Sequence, residues 1–225
     1  MAGMFKPIRW KTFFRDLVVI QLGFALFGLA IAVLIRANLG TSPWVILEVA
    51  LAQITGLTPG TMSVLIGFVV LIGAVAMRER IGWGTLGNIL FIGPWEDVGL
   101  RLIPPAEGLL LQLFMLLASV VMIGVASAIY IGVDAGAGPR DSLMLAVKRV
   151  TGRSLRLARG SIEVILVVLG WALGGPIGIG TLIFAVLIGP TIQFCFKIFK
   201  VEPHRPEELG GKTIDAVVSQ AVDPE

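Results

Sequence analysis

Cysteine, histidine and charge are all scarce in this 225-residue chain. Cys195 is the only cysteine, so no intrachain disulfide can form. It lies inside the last apolar segment, where a lone thiol serves as a small packing residue. His204 is the only histidine and falls in the polar tail. That removes His-based metal motifs and Ser-His or Cys-His dyads from the apolar body and weighs heavily against an intramembrane hydrolase. Only 15% of residues are charged, against about a quarter in a soluble domain. The turn Gly174-Gly175-Pro176-Ile177-Gly178 is not a phosphate loop, since neither a strand nor Gly-Lys-Ser/Thr directly follows it, and the chain has no complete ATP-binding motif. Active transport, if this chain performs it, would therefore need an ion gradient or another subunit.

What the chain has is apolar length. It is 56% hydrophobic, with 28 Gly and a mean hydropathy of +0.92. Segments of about 20 apolar residues, enough to cross a bilayer as a helix, recur along it. Six are predicted, near 17–36, 60–78, 84–103, 108–132, 158–173 and 179–198. Two more, 43–54 and 139–150, have helical period but reach only about 18 Å at 1.5 Å per residue. Each opens on a proline, Pro43 or Pro139, which suits the first turn of a helix. These two either re-enter the membrane or lie at its interface.

The chain is also doubled. Residues 26–56 match 122–152 at an offset of 96, with ten of 31 positions identical, and the register returns in 81–94 and 177–190, with eight of 14. With six spans and a cytoplasmic N-terminus, only Arg36 and Arg101 of the 18 Lys and Arg lie outside. If the short segments also crossed, four would lie outside, so the positive-inside rule favours six. Three spans per copy is an odd number, so the second copy must enter the membrane upside down. The expected fold is an all-α, polytopic integral membrane protein built as an inverted 3+3 repeat plus two short helices. The domains are a basic cytoplasmic stretch at 1–16, a membrane domain at 17–200 (copies about 17–104 and 108–200) and a polar, disordered cytoplasmic tail at 201–225, with a short helix near 213–222. The cytoplasmic membrane of a bacterium is the expected location.

Four constellations could carry function. Gly93-Pro94 and Gly189-Pro190 stand at matching places in the third span of each copy, and a proline break persists in hydrocarbon where it faces protein or a wet cavity. Glu96 and Asp97 follow the first break. Asp97 can pair with Arg101 at i,i+4, leaving Glu96 on another face to bind and release a proton. Asn88 is a polar group inside the same span. Asp134, Gly136, Gly138, Pro139, Arg140 and Asp141 open the second short helix, whose N-terminus with Arg140 could hold an anion; the first copy has Thr41 and Ser42 there, better read as caps. Glu48 lies in the first short helix, with Arg36 as a candidate partner. Lys148, Arg149, Arg153, Arg156 and Arg159 read as an orientation signal meeting anionic lipid, with Glu163 pairing to Arg159.

The stretches GAGPRDSLMLAVKRVTGRSLRLARGSIEV and GWALGGPIGIGTLIFAVLIGP, with LGTSPW and TGLTPGT in the first copy, resemble the YczE/YyaS/YitT family of bacterial integral membrane proteins over roughly residues 15–200. The resemblance implies a small multi-span membrane protein and no particular activity. In the family pattern an acid follows Pro-Trp in the first copy; here Val45 stands there, while Asp141 keeps the acid in the second.

Doubled membrane folds commonly place a solute site between the copies. The expected function is a transporter or permease for an unidentified small polar or charged solute, with Asn88, Gly93, Pro94, Glu96, Asp97, Arg140, Asp141, Gly189 and Pro190 as candidate site residues. No catalytic residue, cofactor or metal is expected. The partners expected are membrane lipid, the solute and a second copy in a homodimer, not nucleic acid. The rival reading is an accessory or scaffold protein supporting a membrane enzyme complex. It places Glu96 and Asp97 in a headgroup loop and needs no polar cavity between the copies.

Overall fold

The computed structural model describes residues 10, 12–77, 82–133, 135, 136 and 138–201. The basic stretch 1–9, Lys11, Arg78, Arg80, Asp134 and the tail from 202 onward lie outside the described residues, and with them the predicted tail disorder and the short helix near 213–222.

Eight helices form among the described residues: α1 (Phe13–Arg36), α2 (Pro43–Thr55), α3 (Pro59–Ala76), α4 (Trp83–Leu102), α5 (Leu109–Gly132), α6 (Pro139–Thr151), α7 (Leu155–Ala172) and α8 (Ile179–Ile198). Each helix of the second half begins and ends 96 residues after its counterpart in the first. All six long segments predicted from the sequence are helical. Four of them, α1, α3, α5 and α8, are long and apolar enough to cross a membrane. The other two, α4 and α7, are 20 and 18 residues long and carry three charged residues each.

The helix boundaries follow from local chemistry that the copies share. α2 and α6 begin on Pro43 and Pro139 and stop at Gly56 and Gly152, both left-handed with φ of 74° and 66°, a conformation that costs a residue with a Cβ dearly. The next helix starts three residues later in each copy. The Thr58 side chain accepts a hydrogen bond from the Thr61 N–H, and the Ser154 side chain accepts one from the Leu157 N–H. α4 and α8 begin where the N–H groups of Gly82 and Gly178 donate to Thr85 Oγ1 (3.3 Å) and Thr181 Oγ1 (3.4 Å). Thirteen residues give α2 and α6 a length of about 20 Å.

α1 and α5 pack along each other at the centre, α1 against α4 and α5 against α8. Their apolar faces, with Phe24, Ile31 and Ile92 on one side and Leu34, Leu116, Val120 and Phe184 on the other, make the two main core clusters. The short helices cross over: α2 packs on α7 of the other half and α6 on α3. The exchange continues in the backbone. Gly84 N–H donates to the Ala135 carbonyl (3.0 Å), and its counterpart Gly180 N–H donates to the Leu39 carbonyl (2.7 Å).

The packing of the halves differs most at one pair of helices. α3 packs along α4, whereas their counterparts α7 and α8 scarcely touch. Gly60 and Gly93 let α3 and α4 meet backbone to backbone; a Cβ on either would strike the other's carbonyl oxygen. Val64 fills the next turn against Gly93. The equivalents of Gly93 and Val64 are Gly189 and Gly160, and a Cβ at either would meet nothing. Arg156 stands where the first half has Gly60.

Candidate functional site

A cavity of about 300 Å³ lies between the two halves. Its walls take equivalent positions from both copies: Phe27 and Ile123, Ile31 and Ser127, Ser42 and Gly138, Trp44 and Arg140, Ser63 and Arg159, Gly67 and Glu163, Asn88 and Phe184. The shape is thus shared between the copies, and the polarity is not. The second copy supplies the charges, while the first mostly supplies apolar and hydroxyl groups.

The strongest interaction at the wall joins the halves. The Arg140 guanidinium donates to a carboxylate oxygen of Glu48, which is fully buried in α2. Its other contacts are the Ser63 hydroxyl at 3.5 Å and the face of the Trp44 ring, with 5.0 Å from Cζ to the centroid. Glu48 is therefore paired with Arg140, not with Arg36. The Arg36 side chain instead donates to the Leu100 carbonyl, because the end of α1 lies beside α4. This pairing also changes the role expected of Arg140. It is held by a carboxylate of the chain itself, not left open to receive an anion at the start of α6. Charge-assisted bonds of this kind are about twice as strong as neutral ones. Breaking a buried pair leaves a charge without compensation.

A second pair, Arg159 Nε to Glu163 Oε1 at 2.8 Å, forms as its i,i+4 spacing predicted. Both residues line the cavity, a placement that their position in a basic stretch gave no sign of.

Three further polar groups border the cavity without any such engagement. Asp141, Asn88 and Tyr130 all line it, and their polar ends converge on Gly138, where a Cβ would lie 3.5, 3.6 and 3.7 Å from Asp141 Oδ2, Asn88 Nδ2 and Tyr130 Oη. Among the described residues, no hydrogen bond or ion pair engages these three side chains. The Tyr130 ring is fixed by Phe24 and Phe27, with centroids 5.7 and 6.1 Å away, so its hydroxyl is held in place. Tyr130 was not among the sequence candidates. Its one signal was being the chain's only tyrosine, set in a long apolar helix.

Glu96 lies behind this site. It is fully buried in α4, both of its carboxyl oxygens lack a hydrogen-bond partner, and Glu48, Arg140 and Asp97 are its electrostatic neighbours. It does not sit in a loop. Asp97 does something other than expected: its carboxylate accepts from the Gly60 N–H (3.0 Å) and the Thr58 hydroxyl (2.5 Å), and so caps α3. The Asp97–Arg101 pair is not formed, because the free N–H groups at the start of α3 are offered to the same carboxylate. Gly93, Pro94, Gly189 and Pro190 stay out of the cavity wall, though Ile92 and Ile188, each one residue before a Gly-Pro pair, belong to it. The structure therefore brings Asn88, Arg140 and Asp141 together, sets Glu96 close by and leaves the other five candidates elsewhere. Among the described residues no group of His, Cys, Asp and Glu is arranged to hold a metal ion.

The profile of a family of unknown function (DUF6198) matches residues 14–197. An uncharacterized protein of Haemophilus influenzae is 30% identical over 88% of this chain and 91% of its own. Two proteins of Bacillus subtilis are similarly close. The uncharacterized membrane protein YczE is 32% identical over 83% of this chain and 85% of its own, and the uncharacterized protein YyaS is 31% identical over 81% and 92%. No solved structure matches. The chain belongs to the DUF6198 family, with YczE and YyaS among its relatives, and is a helical membrane protein.

Proposed function

We propose that this member of the DUF6198 family is a carrier that moves a small polar or charged solute across the cytoplasmic membrane, using the cavity between its halves as the solute site. In this reading six helices span, α2 and α6 do not, and the two copies are inverted with both termini in the cytoplasm. The chain performs no chemistry on the solute.

The observation that carries the proposal is the unequal state of two equivalent helix pairs around one cavity. α3 is packed on α4, and α7 is parted from α8, although both pairs come from the same doubled unit. Two halves of one design held in different conformations are what alternating access requires: exchanging them would part α3 from α4 and bring α7 to α8. The reciprocal contacts support a rotational relation between the copies. When the halves are related by a two-fold rotation, each contact recurs with the roles reversed, as at a symmetric dimer interface. Gly84–Ala135 and Gly180–Leu39 behave so, and Trp44 and Arg140, equivalent positions, touch each other, as residues on such an axis must.

Glu96 couples transport to protons in this reading. A carboxyl in the interior without a hydrogen-bond partner is expensive to keep, and in membrane proteins such groups mark proton and ion pathways. Gaining or losing a proton there changes the charge facing the Glu48–Arg140 pair, which ties the two halves together. The test is solute uptake by the purified protein in proteoliposomes, screened over amines, amino acids, organic acids and vitamins, with and without a pH gradient. Saturable uptake is expected, and Glu96→Gln should abolish its response to the gradient while leaving downhill exchange. A complete absence of uptake across the screen would return the accessory reading. A Glu96→Gln variant that still responds to the gradient would refute the coupling.

A further inference from the structure

Counting Glu48, which is buried and does not itself line the wall, three carboxylates meet two guanidiniums at the cavity, and the odd carboxylate selects a ligand. Each guanidinium is already engaged by a carboxylate of the chain: Arg140 by Glu48 and Arg159 by Glu163. The remaining carboxylate, Asp141 at the wall, has Arg159 and Arg140 as electrostatic neighbours but accepts no hydrogen bond from either. Beside it stand an amide and a hydroxyl, Asn88 and Tyr130, equally unengaged and held around the bare backbone of Gly138. Much of the rest of the lining is apolar, with Phe27, Ile31, Ile92, Ile123, Phe184 and Ile188.

From this arrangement we infer that the cavity binds a small amine carried as a cation on an apolar body, with its ammonium group donating to Asp141, the Tyr130 hydroxyl and, once the unengaged Asn88 amide turns over to present its oxygen in place of its nitrogen, Asn88. The inference rests on the cavity being the solute site and adds the class of solute. An ammonium group carries three donors and no acceptor, and the three side chains can supply three acceptors. A cation enters a dry site at tolerable cost only when a carboxylate meets it with hydrogen bonds. An anion would find both guanidiniums occupied and Asp141 repelling it. The apolar walls take the remainder of the molecule, as small-molecule sites commonly do.

Cys195 provides the measurement. It is the chain's only cysteine and is buried, so a thiol-reactive fluorophore reports unfolding, and a ligand that binds the folded protein raises the midpoint. The probes are primary amines from butylamine to 2-phenylethylamine, each matched with the alcohol and carboxylate of the same skeleton. At least one amine should raise the midpoint of the wild type in a saturable way, and its alcohol and carboxylate should not. Asp141→Asn, isosteric and uncharged, should weaken that amine at least tenfold, Tyr130→Phe should weaken it less, and Glu107→Gln in an exposed loop should leave it unchanged. Carboxylates raising the midpoint as well as amines, or an Asp141→Asn variant that binds the amine unchanged, would overturn the inference. So would a panel in which no amine shifts the midpoint. In each of those cases the carrier reading stands or falls separately, on whether the proteoliposome screen finds uptake of an anion or a neutral solute.

Discussion

Gly93→Ala and Gly189→Ala are the same substitution at equivalent places in the two copies, and the packing makes them unequal. In both, a glycine inside a helix precedes a proline, so the gain from replacing glycine in a helix, about 0.5–1 kcal/mol, enters both sides. The crowding of a new Cβ against the following proline ring also enters both. These terms cancel in the comparison. What remains is the neighbour. At Gly93 the methyl would strike the Gly60 carbonyl and the Val64 side chain, whereas at Gly189 it would meet nothing. Forcing an extra carbon into a packed contact costs about 1–3 kcal/mol, and a backbone carbonyl fixed in the first turn of α3 yields less readily than the end of a flexible side chain. For a protein of this size that difference corresponds to a separation in melting midpoint of roughly 2–12 °C. The assay is thermal unfolding of the purified variants in detergent or nanodiscs, followed through Cys195. Gly93→Ala should melt well below Gly189→Ala. Equal midpoints would refute the reasoning, because they would mean that α8 rests on α7 as closely as α4 rests on α3, and the basis for two distinct half-states would be gone.

Two other outcomes follow from the same packing. Leu57→Cys and Arg153→Cys place thiols at equivalent exposed sites, and with Cys195 buried they should label from opposite faces of the membrane in intact cells; labelling from one face would end the inverted arrangement. Arg140→Met leaves the buried Glu48 without its counter-charge and should cost about 3–5 kcal/mol, and adding Glu48→Gln should restore most of it; a double variant no more stable than Arg140→Met alone would show that the pair does not hold the halves together.

Much of the fold was legible because its signals are local. The doubled unit and the eight helices are written in residues close together in sequence, with Pro43 and Pro139 opening two of them; the glycines that close those two, Gly56 and Gly152, and the caps Thr58 and Ser154 of the next are as local, but the structure was needed to identify them. Apolar length identified a membrane protein because a bilayer has a fixed thickness. The Arg159–Glu163 pair was legible for the same reason, being one helical turn apart. Asp97 shows where such reasoning stops. Its i,i+4 neighbour Arg101 was a sound partner by spacing, but the start of α3, some 39 residues away in sequence, offered better-placed donors. Spacing within one helix cannot rank a partner that arrives on another helix.

The sequence by itself therefore determined that this is a doubled, helical membrane protein with few charged groups in its interior and no histidine chemistry there. Which of those charges meet, and which remain unengaged, was decided only by the tertiary structure. Crossing α2 onto α7 and α6 onto α3 carries Glu48 to Arg140, 92 residues apart, and gathers Asp141, Asn88 and Tyr130 from three helices around one cavity. The physical reason is that Coulombic and hydrogen-bond contacts depend on separation in space, which helix packing sets, while helix formation depends on neighbours along the chain.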